Sequence, residues 1–197
     1  MSFFICIMVM KKTFCFVGLG NKGDEYSFTR HNFGKDFLIW ASKEELIKFE
    51  DYKYFQKAIL ENEKYKFIFI IPNFFMNESG KIFLDKDMFK NNPIFIILHD
   101  DLQIEFGKFA FRNNKDRGER GHNGLRSIKE YFLQFSPKEC NNLPLYFSLG
   151  IGRPKENISV GDFVLKKFNN QEKEILFKNF NNIYDGIKKI CLQYELI

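Results

Sequence analysis

Four short apolar runs constrain this chain more than anything else in its sequence: TFCFVG at 13–18, YKFIFII at 65–71, PIFIIL at 93–98 and PLYFSLGIG at 144–152. None alternates apolar with polar residues as a strand with one wet face would, so each reads as a strand covered on both sides. Between them lie helix-like stretches at roughly 33–48, 78–90, 123–135 and 170–194. In the third, Leu125, Ile128, Phe132 and Phe135 share one face. The alternation predicts an α/β fold, a single-domain three-layer sandwich whose twisted mixed, mostly parallel sheet carries helices on both faces. No repeat or Pro/Ser-rich linker divides the 197 residues, and that length buries a core without disulfides or a structural metal.

Residues 1–12 stand apart as an N-terminal extension ahead of a single domain at 13–197. The run FFICIMVM at 3–10 is too short to span a bilayer, and its lysines follow it rather than precede it. Translation from Met8 or Met10 and a loose extension both fit. Cys6, Cys15, Cys140 and Cys191 are widely spaced, with no C-x-x-C pair and no zinc-finger spacing. A reducing cytoplasm is the expected compartment. The 26 phenylalanines carry no functional weight.

Charge is concentrated. Residues 108–129 hold seven basic side chains against two acidic ones, so the whole formal excess of +5 falls in this segment. Such a cluster is ordinarily a solvated loop; a polyanion site is the alternative.

Gly18-Leu19-Gly20-Asn21-Lys22-Gly23 fits G-x-G-x-x-G after a strand, which alone suggests a dinucleotide turn. The context argues against it, because DEYSFTRHN has no helical period and no acidic residue ends a second strand about 20 positions on. The other reading is a tight turn whose glycines permit positive φ. The histidines say more. There are three, and each lies beside Asn or Asp near the end of an apolar element: Thr29-Arg30-His31-Asn32, His99-Asp100-Asp101 and Gly121-His122-Asn123-Gly124. Strand ends of an open α/β sheet converge on one crevice, so His31 and His99-Asp100 can meet there. A neutral imidazole would then take a proton from water while a carboxylate fixes its tautomer. A three-His zinc site is the rival chemistry, without an H-E-x-x-H motif to support it.

With these residues in view, GLGNKG (18–23), EYSFTRHNFG (25–34), FFMNESG (74–80), HDDL (99–102), RGHNGLRSI (120–128), GIGRP (150–154) and GDFVLKKF (161–168) resemble, in order, the motifs of the bacterial-type peptidyl-tRNA hydrolases. The resemblance implies a cytoplasmic monomer of translation and ribosome rescue that hydrolyses the ester between a peptide and the 3′ end of tRNA, without metal, cofactor or membrane. It makes His31 the general base, Asp100 its orienting carboxylate, and Asn123 the holder of the water or developing oxyanion. Asn21, Tyr26, Asn77 and Asn123 would bind substrate, and primary amides suit that task because they donate and accept without adding charge. Arg112 would lead the tRNA phosphate contacts, with Arg117, Arg120 and Arg153 weaker.

Three departures accompany the match. Lys22 stands where the family turn usually has proline, NNKDRGERG is about two residues longer than the usual Gly-rich run, and Ser148 replaces a basic residue two positions before GIG. On this reading Arg153 compensates for Ser148, and an arginine restored at 148 would tighten RNA binding. The competing class is a non-catalytic RNA-binding protein on the same fold. Intact His31, Asp100, Asn21, Asn77 and Asn123 favour the enzyme, since a pure binder needs no proton-accepting pair.

Overall fold

The computed structural model describes residues 11–112, 121–138, 140, 143–154 and 157–193. Among these residues seven strands form one sheet: β1 (Lys12–Gly18), β2 (Glu50–Asp51), β3 (Phe55–Glu61), β4 (Tyr65–Pro72), β5 (Ile94–Asp101), β6 (Phe109–Arg112) and β7 (Leu145–Gly150). Their order across the sheet is β2-β3-β4-β1-β5-β7-β6. The four apolar runs are the four central strands, all mutually parallel. Antiparallel pairings flank them on both sides, β2 and β3 at one edge and β6 at the other. Parallel and antiparallel pairings are thus equal in number, so the sheet is mixed, with its parallel part confined to the centre. Pairing of Lys12 with Tyr65 starts β1 one residue ahead of the expected run. The expected extension otherwise lies in residues 1–10, outside the described residues, as do Arg117 and Arg120.

The helices are α1 (Phe33–Glu44), α2 (Asn123–Phe135), α3 (Val160–Leu165) and α4 (Asn170–Gln193). The expected helix at 78–90 is instead two 3-10 segments, Met76–Leu84 and Lys86–Phe89, separated where the Asp85 carboxylate accepts the Asp87 N–H. Continuous apolar character follows from two cores. Phe14, Phe16, Ile94, Ile96 and Leu98 face a layer that includes Phe33, Phe37, Phe180 and Ile183 of α1 and α4. Their neighbours Cys15, Val17, Phe95 and Ile97 face Met76, Ile82, Phe83, Ile128 and Phe132 on the opposite side. Period-2 alternation thus fills both faces. The phenylalanines are largely this filling; Phe14, Phe33, Phe37, Phe83, Phe95, Phe132, Phe147 and Phe180 are all fully buried.

Two glycines bring α1 onto the carboxyl ends of the strands. A Cβ on Gly34 would lie 2.2 Å from the Leu98 carbonyl oxygen, and one on Gly18 would lie 2.6 Å from the Gly34 oxygen. Only bare backbone fits there. The helix therefore starts in contact with β5 just before His99 and Asp100. No helix opens at the glycines of 18–23; the next segment is a 3-10 turn at Asp24–Tyr26, and α1 begins at Phe33. The dinucleotide reading fails on that geometry.

Candidate active site

His31 belongs to the 3-10 turn Arg30–Asn32 that leads into α1, and Asp100 to the end of β5. Their meeting, expected from the sequence, occurs. His31 Nδ1 lies 2.9 Å from Asp100 Oδ1. A carboxylate only accepts, so Nδ1 carries the proton and the lone pair is on Nε2. Among the described residues no hydrogen bond engages that nitrogen.

A third member was expected only as a ligand of the rival three-His zinc site, not as a partner of Asp100. His122 Nε2 lies 3.0 Å from the same Asp100 oxygen, and the two rings sit 4.8 Å apart. His122 is also the N-cap of α2, where its Nδ1 accepts the Leu125 N–H at 3.4 Å. With that lone pair committed, the His122 proton resides on Nε2 and points at Asp100. The cap is thus His122, and the helix terminus fixes a tautomer in the site. The only sequence signal for this was a histidine beside a helix start.

Asp100 is 4% exposed and accepts from two imidazoles. Burial opposes its charge, yet the attraction of His31 and His122 outweighs it and holds the carboxyl well below the usual range. For His31, burial works against the cation, but the Asp100 charge and hydrogen bond prevail, so its pKa lies above the ordinary value. His99 does not join the pair. Its Nδ1 donates to the Asp100 backbone oxygen at 2.8 Å and its Nε2 meets Ser148 Oγ at 3.1 Å. Burial, reinforced by His122, lowers its pKa to about 4, and it stays neutral.

This arrangement corrects the expectation at Ser148. The residue is 2% exposed in β7 and bonded to His99, so an arginine there would enter the core rather than reach a phosphate. Arg153 is exposed, with Nη2 2.5 Å from Gln103 Oε1. Arg112 ends the edge strand β6, its backbone opposite Tyr146.

Asn32, fully buried, clamps Asn21 like a paired peptide. Its Oδ1 accepts the Asn21 N–H at 2.7 Å and its Nδ2 donates to the Asn21 carbonyl at 3.1 Å. The Asn21 side chain in turn accepts the Met76 N–H through Oδ1 at 2.8 Å. That bond sets exposed Asn77, the next residue, beside the 18–23 turn. Tyr26 packs edge-on against half-exposed Phe75 with centroids 6.2 Å apart. Asn123 is exposed at the start of α2, its Oδ1 taken by Arg126.

One ring nitrogen each of His31 and His122 and a carboxylate oxygen of Asp100 lie within 4.8 Å of one another, close enough to consider a metal. The arrangement is that of a hydrogen-bonded cluster: both facing ring nitrogens are aimed at a single carboxylate oxygen, and the Leu125 N–H occupies the other nitrogen of His122. His99, with both nitrogens engaged elsewhere, cannot complete a three-His centre.

Comparison with known proteins is consistent along the chain. The family model described as "Peptidyl-tRNA hydrolase" matches residues 15–195. A peptidyl-tRNA hydrolase of Rickettsia canadensis (strain McKiel) is 36% identical over 179 residues, 88% of this chain and 91% of the relative. One of Rickettsia prowazekii (strain Madrid E) is 37% identical over 185 residues, covering 91% and 94%. The crystal structure of peptidyl-tRNA hydrolase from Acinetobacter baumannii superposes with a TM-score of 0.71 at 26% identity, covering 87% of this chain and 85% of that one.

Proposed function

Because this chain belongs to the peptidyl-tRNA hydrolase family, and is therefore a hydrolase that cleaves peptidyl-tRNA, we propose that the cleavage uses a water activated at His31. The observation that carries this reading is the committed Nδ1 of His31, which leaves Nε2 as a proton acceptor. Water attacks the ester carbonyl as its proton passes to Nε2. The tetrahedral intermediate then collapses, and the imidazolium returns the proton to the departing 3′ oxygen of tRNA. Asp100 stabilises the cation formed between the two steps.

The amides take the uncharged contacts. Arg126 holds Oδ1 of Asn123, so its Nδ2 donors serve the oxyanion or the water. Met76 holds Oδ1 of Asn21, so that side chain serves the peptide as a donor. Asn77 and Tyr26 line the peptide side of the crevice. Arg112, with Arg117, Arg120 and Arg153, supplies phosphate contacts. No metal or cofactor takes part. The protein works as a cytoplasmic monomer; the free thiols of Cys15 and Cys191 suit a reducing compartment. Among the described residues no helix is long and apolar enough to cross a membrane.

The test uses N-acetyl-aminoacyl-tRNA and free aminoacyl-tRNA. The wild type should release the blocked acyl group preferentially, because a free α-amino group with pKa about 7.7–8.0 is largely charged and meets no anion in an amide-lined site. Folded His31→Ala should lose about 10²–10⁴-fold in turnover. Wild-type turnover in that variant would refute the mechanism.

A further inference from the structure

His31 lies between two residues that are each anchored to a different part of the molecule. On one side Asn32 grips the 18–23 turn. On the other, Arg30 runs away from the site toward the C-terminal helices. Its Nη1 donates to the carbonyls of Lys166 (3.1 Å) and Lys167 (3.3 Å), and its Nη2 lies 2.5 Å from Glu172 Oε1. The guanidinium is sandwiched by Phe163 and Phe168, 4.5 and 5.0 Å from their centroids. Backbone contacts follow the same seam: Arg30 N–H to the Lys166 carbonyl, Phe168 N–H to the Phe28 carbonyl, and a bridge between Thr29 and Lys167.

This is an expensive arrangement for a residue outside the crevice. Arg30 is 6% exposed, and its buried Nε has no hydrogen-bond partner. Glu172 is doubly used, since it also accepts the Asn169 N–H while Asn169 Oδ1 accepts the Glu172 N–H in a capping box that opens α4. Residues 142 apart in sequence are thereby locked at one junction.

We propose that Arg30 is a positioning residue for the reaction, fixing the turn that presents His31 to Asp100 by tying it to the α3–α4 junction through Glu172. The proposal rests on His31 as the base. One planar guanidinium held by two carbonyls and one carboxylate defines the turn's orientation, a geometry a lysine cannot reproduce. Loosening it lengthens the 2.9 Å contact between His31 and Asp100, and small misplacements of a reacting group lower turnover more than binding.

The test compares Arg30→Lys and Glu172→Gln with the wild type. Both should keep KM for N-acetyl-aminoacyl-tRNA within about twofold and lose about tenfold or more in kcat. In NMR titrations the His31 ring should titrate nearer an ordinary imidazole, at lower pH than in the wild type, since it loses part of the Asp100 field. Glu172→Gln preserves the capping box and decides the matter should Arg30→Lys not fold. A lowered melting temperature with unchanged kcat and unchanged His31 titration would make Arg30 merely structural and overturn the proposal. His31→Ala separates the failures: full turnover there sinks the base assignment, while the NMR titration still decides whether Arg30 positions the ring.

Discussion

Replacing Asp100 by Asn tests how the two histidines share one oxygen. The amide is nearly isosteric and its Oδ1 can still accept, but the charge is gone. Hydrogen bonds to a charged group contribute about 1.5–3 kcal/mol against about 0.5–1.5 for neutral ones. The loss at His31 is thus about 1–1.5 kcal/mol, and with the Asp100 charge gone the His31 pKa falls back toward its ordinary value. An amide can also turn its NH₂ toward the rings, which would move the His31 proton to Nε2 and abolish the base. His122 prevents that flip. Its proton is fixed on Nε2 by the Leu125 N–H, so it demands an acceptor at position 100. Asp100→Asn should therefore keep the productive tautomer, losing about 10–100-fold in plateau kcat, with the acid limb of the pH profile moved to lower pH. Removing His122 as well frees the amide, and His122→Ala/Asp100→Asn should approach the loss of His31→Ala, more than the product of the two single effects. The assay is steady-state hydrolysis of N-acetyl-aminoacyl-tRNA across the acid and neutral range. Strictly multiplicative effects, or an Asp100→Asn as dead as His31→Ala while His122 is intact, would refute the shared-acceptor argument.

Other outcomes follow from single contacts. Asp36 accepts the Phe28 N–H at 2.8 Å, but burial dominates and raises its pKa to about 7. Its folded pKa exceeds the unfolded one, so the associated stabilisation is complete below the unfolded pKa and is lost as pH rises through about 7. Asp36→Asn should hence gain roughly 1–4 kcal/mol over wild type in denaturant melts above that pH, a gain that shrinks on acidification; a pH-independent difference would contradict it. Ser148→Arg should cost about 3 kcal/mol or more, or abolish folding, instead of tightening RNA binding, and a melt near wild type would show the site to be open. Arg112→Ala should raise KM at nearly constant kcat and reduce the slope of log K against log salt by about 0.7–0.9; an unchanged slope in tRNA titrations would leave Arg112 without a phosphate. EDTA should leave turnover intact, whereas loss on chelation with recovery on added zinc would reverse the assignment of the His31, Asp100 and His122 protons.

What was legible in the sequence divides along a physical line. The central strands are apolar on both faces and declare themselves; β3, FQKAILE, next to the two-residue edge strand β2, is half-wet and carries Lys57 and Glu61, and it left no comparable run. Likewise β6 is four residues long and β2 only two. The meeting of His31 with Asp100 was legible because strand ends of a parallel sheet converge, a rule of topology rather than of side-chain detail. Ser148 misled because a basic residue expected from resemblance says nothing of which face a β7 position takes, and here both faces are core. His122 and the Arg30–Glu172 junction were illegible for a different reason. Each contact depends on a loop or a helix end arriving from far along the chain, where no periodicity reports it. These are also the contacts that set a proton or an orientation rather than bury area. One oxygen of Asp100 is kept ionised against its burial by two donors, and each donor is held by backbone far from it in sequence: the α2 terminus for His122, the α3–α4 junction for His31. On the proposed mechanism the base is only as well placed as those anchors allow, which is why substitutions at Glu172 belong among the catalytic tests and not only among the stability ones.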